Sequence, residues 1–516
     1  MAKYARSGVV TSGDAGTKIR DMGCHEGYQV AMHTLDQYRG TMVSCSYAPP
    51  PKLSLSEDLS EVKAALHDAV SRLILAQPHL HVGYTGENTK SPVFVRIDHL
   101  DLRKHIVWSQ HDETRSFEQS YLDCVQTQLD SRFEDLSTEP GWKLIVLHQP
   151  GREHIELLYL WNHPHHDGMG GKIFHQQLLR NLNEAFVSLR EPLSDLKFVD
   201  GSDRCVLKIP DPTSKLPPNP ELLSWWPMTP LFFVKALWKE IKPQWIFPPG
   251  DTHAHWAPIQ LTPFATRFRN FNVDNNIVTR VVDACRQHDT TITGLVQALV
   301  LVSLTASLEN SKGFASRTPY DLRHILPSHT RRYPWLQPKE SICNYVSVIE
   351  HEFNADLVAA IRSMRSAQGT DRGLPTDLQD IIWTVSARVR REIRTRLDSG
   401  LWNDLIGIMK LCSNWLTQQQ SEAHKTRYLS WLVTNLGVLD GRSGLIDGQD
   451  GWSLRRAELL LSAEIPSAAL SVSMMTVKEG DLVVTCSWQD CILDASLGER
   501  LMVDLERWFK EIGAQL

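Results

Sequence analysis

The segment His163-Pro164-His165-His166-Asp167, followed by Gly168, contains the residues most suited to chemistry in this chain. It comes after a strand-like run, 155–162, and before an amphipathic helical pattern that starts near Lys172. An imidazole titrates close to neutral pH and can serve as a general base, which typically contributes about 10²–10⁴-fold to a rate. A lone histidine near a strand end is usually structural, but the strand-to-helix junction and the Gly168 that follows favour His163 as a general base.

Asp167 and Gly168 are predicted to shape the loop around His163. A carboxylate four residues on, across a tight turn, is expected to point away from the imidazole and to pair with an arginine. The candidates are Arg267, Arg269 and Arg323, and the sequence does not choose among them. Gly168 permits a backbone geometry that a side chain would strain.

Two other chemistries fit the same segment less well. His163, His165 and Asp167 alternate along an extended chain and could converge on zinc. Catalytic zinc sites usually recruit ligands from separated elements or from helical pairs, so a site without metal is favoured. The glycine-rich stretch 168–172 resembles a phosphate loop, but His166 stands where that loop requires glycine.

A second candidate group is Thr434-Asn435-Leu436-Gly437, which ends a predicted strand. The hydroxyl of Thr434 and the amide of Asn435 could donate to an oxyanion or line a substrate pocket. Losing one oxyanion donor typically costs about 3–4 kcal/mol of transition-state stabilisation. The alternative is an ordinary strand-terminating turn, which Asn and Gly favour. Both interpretations remain open.

A third group is 318–323, which ends in Arg323 and is followed about twenty residues later by 344–347. Arg323 could anchor a loop or meet a phosphate, and anchoring is the favoured interpretation.

The elements around these residues alternate between strand and helix patterns in both halves of the chain, which predicts an α/β fold. Apolar alternation predicts strands at 93–97, 144–147, 155–162, 345–349, 431–437, 472–475 and 482–488. Helical spacing predicts helices at 57–75, 116–133, from near 172, and at 271–285, 291–308, 355–367, 379–405 and 496–512. The predicted organisation is an N-terminal domain at 1–205, a crossover at 206–255 and a C-terminal domain at 256–516.

The crossover is unusual in composition. Ten of the 27 prolines lie between 209 and 250, together with Trp225, Trp226, Trp238 and Trp245. Proline-dense sequence cannot continue helix or sheet ladders, although the apolar stretch 231–238 has helical character. With its lysines at 235, 239 and 242, this stretch could lie on a membrane surface; a helix packed over a cleft is favoured. The tryptophans suggest a hydrophobic substrate if they face the cleft.

Composition excludes several classes of protein. The chain has 516 residues, a net charge of −6 and a mean hydropathy of −0.26, without the basic excess of a nucleic-acid-binding protein. Its nine cysteines are scattered and form no C-x-x-C pair, so neither a disulfide framework nor a zinc cluster is indicated. The first 20 residues lack an apolar signal core, and no run of 18 apolar residues occurs. We expect a reducing, cytoplasmic location.

Together these motifs resemble the fungal alcohol acetyltransferase family, including trichothecene acetyltransferase-like proteins. That family is related to BAHD acyltransferases and to peptide-synthetase condensation domains. The resemblance covers most of the chain and depends on the segments His163-x-x-x-Asp167-Gly168, 291–298, 320–323, 344–347, 434–437 and Ser487-Trp488.

The resemblance implies two chloramphenicol acetyltransferase-like domains with a tunnel at their interface. Acyl-CoA would enter one mouth and the acceptor the other, with His163 at the junction, Arg323 and Asn344 on the CoA side, and no metal or bound cofactor.

Three departures from the family pattern stand out. The Asp-Phe-Gly-Trp-Gly signature of BAHD enzymes is absent, Cys343 replaces a glycine frequent in relatives, and Asn162 replaces the first His of condensation domains. The last departure favours CoA over a carrier-protein donor.

The expected function is therefore O-acyl transfer, most simply of acetyl from acetyl-CoA, to a hydroxyl of a small hydrophobic metabolite. A terpenoid or polyketide alcohol of secondary metabolism would fit, and a monomer is expected because the two halves can form the tunnel. Three alternatives remain: a condensation-like enzyme fed by a carrier protein, a CoA-independent enzyme using His163 in rearrangement or cyclisation, and a non-catalytic binding protein.

Overall fold

A computed structural model describes residues 16–53, 55, 58–110, 115–187, 196–211, 215–242, 246–328, 330–366, 376–445 and 448–514. The strands in these ranges are β1 Lys18–Asp21, β2 Thr41–Ala48, β3 Val82–Thr85, β4 Val93–Arg96, β5 His99–Asp101, β6 Ile106–Gln110, β7 Trp142–His148, β8 Ile155–Trp161, β9 Val206–Lys208, β10 Thr266–Val273, β11 Phe314–Asp321, β12 Val346–Phe353, β13 Trp431–Leu439, β14 Ser453–Leu461, β15 Leu470–Val477 and β16 Leu482–Gln489. The α-helices are α1 Cys24–Thr34, α2 Ser60–Ala76, α3 Leu102–His105, α4 Phe117–Leu129, α5 Gly168–Val187, α6 Pro220–Leu223, α7 Pro230–Ile241, α8 Asn275–Gln287, α9 Ile292–Ser307, α10 Ala355–Ser366, α11 Thr376–Asp398, α12 Leu405–Met409, α13 Trp415–Glu422 and α14 Ala495–Ala514.

The strand that leads to His163 lies in the middle of a five-stranded sheet of order β14-β2-β8-β7-β6. All seven residues of β8 are buried, because both faces of this sheet are covered. Tyr159 and Trp161 join one hydrophobic core, packed with residues of α2 and α5, whereas Leu158 and Leu160 join a second core with residues of α4. Burial on two sides explains the continuous apolar run that precedes the histidine.

The second large sheet has six strands in the order β10-β16-β15-β13-β11-β12. Its strands β11, β13 and β15 run parallel, whereas β12 and β16 are antiparallel to their neighbours. Helix α9 is the centre of the core on one face of this sheet, together with residues of α8, α10, α11 and α14. Its run of buried residues from Gly294 to Thr305 accounts for the very apolar sequence.

One strand from the C-terminal part of the chain belongs to the five-stranded sheet. Strand β14 pairs antiparallel with β2 along its whole length, with Leu459 opposite Val43. It therefore extends the five-stranded sheet, although its neighbours in sequence belong to the six-stranded one. The domain limits at 205 and 256 remain a prediction, and the sheet order shows that the two halves interlock.

Most elements predicted from periodicity are confirmed, and two are wrong in part. The helix predicted at 379–405 ends at Asp398, and a separate short helix begins at Leu405. The stretch 271–285 was expected to be a single helix, but Phe271–Val273 belong to β10, which pairs with β16. The helix begins only at Asn275, where the side chain of Asp274 accepts a hydrogen bond of 2.8 Å from Asn276 N. Alternating burial of Phe268, Phe271 and Val273 supplies the sheet with apolar contacts that outweigh local helix propensity.

The proline-rich crossover contains regular structure. Strand β9 pairs with β5, and the apolar stretch after Pro230 forms helix α7. Thr229 caps this helix, and Pro230 occupies its first turn, where a missing N–H has no cost. No single helix in the described part of the chain is long and apolar enough to cross a membrane, and α8 with α9 would qualify only as a pair bent by 91°.

Candidate active site

A cavity of about 1580 Å³ opens between the two large sheets, and His163 lies on its wall. The five-stranded sheet contributes Thr41 and Leu459, and the six-stranded sheet contributes Thr318 and Thr434. Of the residues predicted for chemistry, His163, Asp167, Gly168, Thr434 and Asn435 line this one space, whereas Arg323 and Asn344 do not.

The loop that carries His163 is fixed by buried contacts on either side of it. Strand β8 ends at Trp161, and the Asn162 side chain donates a hydrogen bond of 2.8 Å to the Tyr84 hydroxyl. Asn162 N donates to the carbonyl of Gly141, whose own N–H donates to Nε2 of His165 at 2.9 Å. Asn162, which occupies the position of the first histidine in condensation domains, is thus a structural residue here.

The imidazole of His163 is held by its neighbours in a neutral state. Asn344 Nδ2 donates to the backbone carbonyl of His163 at 2.8 Å and lies 3.5 Å from its Nδ1 atom. Burial lowers the pKa of His163 below its ordinary value of 6.5, and the charge of Asp167 and an interaction with the residue's own carbonyl offset this only in part. At neutral pH the ring is therefore unprotonated and able to accept a proton.

Asp167 points away from His163 and pairs with Arg323, as the loop geometry predicted. The pair has two contacts, Oδ2 to Nη1 at 2.7 Å and Oδ1 to Nη2 at 3.0 Å. The backbone N–H groups of Gly170 and Tyr345 also donate to the carboxylate, at 2.9 and 2.7 Å. Burial alone would raise the pKa of Asp167, but Arg323 and these N–H groups outweigh it and hold the pKa below its usual range.

Of the three arginine candidates, only Arg323 reaches the loop. Arg267 pairs with Asp490, and Arg269 pairs with Glu499 at 2.8 Å. Besides Asp167, the guanidinium of Arg323 binds the Asp321 carboxylate at 3.0 Å and the Cys343 carbonyl at 2.7 Å. Its side chain is 1% exposed, which favours loop anchoring over contact with a CoA phosphate.

Asn344 and Gly168 have placements that differ from those expected. Asn344 was a candidate for contact with the cosubstrate, but its buried amide fastens the backbone of His163. Gly168 was expected to adopt a backbone geometry that only glycine tolerates, yet its φ is not positive. Its position is instead a close approach, because a Cβ there would lie 3.1 Å from Cδ2 of Leu436 on β13, so that side chain would have to shift.

That approach joins helix α5 to strand β13. Lys172 Nζ donates to the carbonyl of Leu436 at 2.8 Å, one turn after Gly168. Gly437, which follows Leu436, has a φ of +68°, a backbone conformation that glycine adopts with little strain, and β13 bends at this residue. The second candidate group therefore lies directly beside the histidine loop.

Thr434 and Asn435 both line the cavity but differ in their partners. Asn435 Nδ2 donates to the Thr293 hydroxyl at 3.3 Å, and its Oδ1 accepts from Gly437 N at 2.7 Å. These contacts lie at an irregularity inside β13 and not at the strand-terminating turn considered from the sequence, because the strand continues to Leu439 and its register with β15 shifts between Asn435 and Val438. No group in the described ranges hydrogen-bonds the hydroxyl of Thr434, which is left available to a molecule in the cavity.

The neighbouring histidines, His165 and His166, are buried and contact core residues. His166 stacks on Trp161 at 4.5 Å between ring centroids and shares a hydrogen bond of 2.8 Å with the Tyr159 hydroxyl. Burial lowers the pKa of both His165 and His166 to about 3, so both are neutral. With the Asp167 oxygens occupied by Arg323, none of these groups is arranged as a zinc ligand, and no other cluster of three ligating residues occurs in the described ranges.

Sequence reasoning missed three residues that complete the site. The rings of His25 and Tyr38 lie 6.1 and 6.0 Å from the ring of His163, and both residues line the cavity. Tyr345 supplies the N–H that binds Asp167. The first two stand far from the motif in sequence, in and after α1, and no spacing signal could have found them.

The crossover tryptophans do not support a hydrophobic substrate. Trp225 and Trp238 are 78% and 48% exposed, and Trp226 is buried in a small core with Tyr320. None of the three lines the cavity, and Trp245 lies outside the described residues. The three described tryptophans therefore give that inference no support, because none of them faces the cavity. Helix α7 does pack over the cleft as predicted, since Phe232, Ala236 and Lys239 line the cavity.

Comparison with known proteins agrees with this architecture. The sequence profile of the family described as alcohol acetyltransferase matches residues 95–438, more than half of the chain. A probable alcohol acetyltransferase, FCK4 of Fusarium pseudograminearum, is 25% identical over 507 residues, covering 96% of this chain and 95% of that protein. A second, crmB of Aspergillus fumigatus, is 24% identical over 501 residues, covering 94% and 98%.

Solved structures show the same fold at low sequence identity. TRI3 trichothecene 15-O-acetyltransferase from Fusarium sporotrichioides superimposes with a TM-score of 0.66 at 12% identity, covering 95% of this chain and 94% of that one. The condensation domain of the monacolin K polyketide synthase MokA gives 0.58 at 10% identity, covering 97% and 98%. The predicted fold class, α/β with two chloramphenicol acetyltransferase-like halves, is thereby confirmed.

Proposed function

The chain belongs to the alcohol acetyltransferase family, and on that premise we propose that it transfers acetyl from acetyl-CoA to a hydroxyl of a small hydrophobic molecule. The observation that carries the proposal is the neutral imidazole of His163 on the wall of a cavity shared by both halves. A base of this kind needs an unprotonated nitrogen that faces the substrate and a backbone that does not move.

His163 acts in this mechanism through Nε2. Nδ1 is the ring nitrogen able to reach the residue's own carbonyl, so we assign the hydrogen to Nδ1 and the lone pair to Nε2. Nε2 takes the proton of the acceptor hydroxyl as its oxygen forms a bond to the thioester carbonyl carbon. The carbon–sulfur bond then breaks, the proton passes from His163 to the CoA thiolate, and the products are an acetate ester and free CoA.

The tetrahedral intermediate formed between these steps carries a negative oxygen. The Thr434 hydroxyl, which lines the cavity without a partner among the described residues, is the donor we assign to it. Asn435 is a weaker candidate because its amide already binds Thr293 and Gly437. Its role in this scheme is to shape the bend that places Thr434.

A hydrophobic acceptor fits the cavity wall. Apart from the polar groups near His163, the wall includes many aliphatic side chains from both halves: Val346, Val348, Ile393, Leu405, Ile406, Ile408, Met409, Leu429, Leu432, Leu459 and Leu461. Ligand sites of this type bind mainly through apolar contact, with a few polar groups to fix orientation. The hydroxyl of the acceptor would be its polar group, held at His163.

The test compares wild type with His163→Ala in binding and in turnover. We expect calorimetry to show similar acetyl-CoA affinity for both proteins, whereas ester formation on a panel of apolar alcohols falls about 10²–10⁴-fold in the variant. His99→Ala is the matched control, because its side chain is exposed and does not line the cavity. Turnover that survives in His163→Ala would contradict the role of the base.

The donor is tested separately, because relatives of this fold include condensation domains. Acetyl-CoA and an acetylated carrier protein are supplied at equal concentration, and ester formation is followed by mass. We expect transfer from acetyl-CoA alone. Transfer only from the carrier protein would replace CoA as donor, and an isomerised substrate without a gain of acetyl would indicate rearrangement or cyclisation chemistry.

A further inference from the structure

Helix α7 presents an apolar stripe to solvent. Leu231, Val234, Trp238 and Ile241 recur at spacings of three and four residues and are 65%, 60%, 48% and 61% exposed. A surface helix ordinarily turns such a stripe toward the core. None of the twelve residues of α7 is buried, so the stripe is largely open to solvent.

The opposite side of the helix is held against the protein by charged residues. Lys239 pairs with Glu350 and lies 3.7 Å from the ring centroid of Tyr428. Glu240 accepts from Lys425 Nζ at 2.9 Å. The same side, including Phe232 and Ala236, lines the cavity. These contacts fix the rotation of α7, so the outward direction of the apolar stripe is built into the fold.

Further exposed apolar residues extend this surface. Ile246 and Phe247 follow the helix and are 50% and 44% exposed, with the Phe247 ring 5.1 Å from the ring of Trp238. We call the six residues Leu231, Val234, Trp238, Ile241, Ile246 and Phe247 the α7 patch. A continuous apolar patch of this kind marks a site of contact with another molecule or a membrane.

We propose that the α7 patch inserts into the interface of a lipid membrane that contains anionic headgroups. The patch combines leucine, valine, isoleucine and Trp238 on the outer side of α7 with Ile246 and Phe247 just after it, which is the composition of a helix lying in a bilayer interface. Lys235 of α7 and Lys242 just after it line the cavity, and neither forms an ion pair with a described residue, so both ammonium groups can meet lipid phosphates at the cavity rim beside the patch.

This placement puts the cavity rim at the lipid surface. Residues on one side of α7 line the cavity while those of the patch face outward, so a single helix separates the two spaces. If the proposed acyl transfer holds, the acceptor is an alcohol that partitions into the membrane and enters the cavity beside α7. Membrane binding itself does not depend on that activity and is measured without it.

The first experiment is flotation of the full chain with phosphatidylcholine vesicles, with and without phosphatidylserine. We expect binding that strengthens with phosphatidylserine and that weakens at least tenfold in Val234→Asp/Ile241→Asp, since two apolar side chains lose their burial in lipid. Val503→Asp on α14 is the matched control, because Val503 is 64% exposed and outside the patch. Thermal unfolding checks that all variants remain folded.

The possible results distinguish a membrane from a second copy of the chain as the partner of the α7 patch. Wild type that floats with neither vesicle, or variants that float as well as wild type, would overturn the proposal. A dimer that dissociates in Val234→Asp/Ile241→Asp without any vesicle binding would overturn it in favour of a second copy of the chain. None of these results uses turnover, so failure of the proposed acetyl transfer would leave them interpretable.

A second experiment tests delivery of the acceptor and rests on the proposed function. Ester formation is measured with a long-chain alcohol dissolved in vesicles and with a short water-soluble alcohol. We expect the patch variant to lose turnover of the vesicle-bound alcohol while keeping turnover of the soluble one. Equal turnover of both alcohols by the variant would contradict delivery from the membrane.

Discussion

The carboxylate of Asp167 and the guanidinium of Arg323 form a two-point ion pair that joins the halves of the protein. Asp167 lies between β8 of the five-stranded sheet and α5, and Arg323 comes two residues after β11 of the six-stranded sheet. Their side chains are 2% and 1% exposed. The loop that carries His163 is therefore positioned by the packing of one half against the other.

We predict that Asp167→Asn destabilises the whole protein as well as the loop. Removing one partner of a buried pair leaves an uncompensated charge, which typically costs about 3–5 kcal/mol in free energy of unfolding. Urea unfolding measures this. Asp490→Asn breaks the exposed pair with Arg267 and serves as control, with an expected cost below about 1 kcal/mol. Equal midpoints for the two variants would argue against a structural role of Asp167.

We predict that turnover is insensitive to pH around neutrality and declines in acid. The active form of His163 is the neutral base, and burial lowers the pKa at which it would gain a proton. kcat/KM should therefore stay level above pH 6.5 and fall below it, with the inflection on the acid side of the ordinary histidine value. An inflection at or above neutrality would show that another group controls the reaction.

The elements around the histidine could be predicted because their signals are local. The apolar run before His163 and the spacing of Phe174, Leu178 and Leu182 after it lie within β8 and α5 themselves. The helix predicted at 271–285 failed at its start, because the pairing of β10 with β16 is a contact more than 200 residues away in sequence. The periodicity of residues 271–285 alone does not show that β16 pairs with them.

The partners within the site were harder to predict for the same reason. Asp167 was expected to bind an arginine, but Arg323 lies 156 residues away and only the folded arrangement of the two sheets selects it. Asn344 was expected to contact the cosubstrate. Its observed role, a hydrogen bond to the backbone of His163, depends on a distance in the folded protein that sequence spacing does not reveal. The short range of hydrogen bonds makes such roles a property of tertiary structure.

We predict that Asn344→Ala lowers kcat more than it raises the KM for acetyl-CoA. The Asn344 amide binds the carbonyl of His163, so its loss frees the base to leave its productive position. We expect about tenfold lower kcat, in line with the loss of one hydrogen bond of about 1 kcal/mol or more. Steady-state kinetics with varied acetyl-CoA separates the two parameters. A large rise in KM with unchanged kcat would instead assign Asn344 to cosubstrate binding.

Thr434→Val and Asn435→Ala should differ in their effect on turnover. The Thr434 hydroxyl faces the cavity and has no partner in the described part of the chain, so as an oxyanion donor its loss should lower kcat about 10²–10³-fold. Asn435 already binds Thr293 and Gly437, so its loss should chiefly loosen the bend in β13 and lower the unfolding midpoint. Single-turnover rates and thermal unfolding of both variants measure the two effects. If Asn435→Ala proved the slower enzyme at unchanged stability, the oxyanion donor would be Asn435 and the structural residue Thr434.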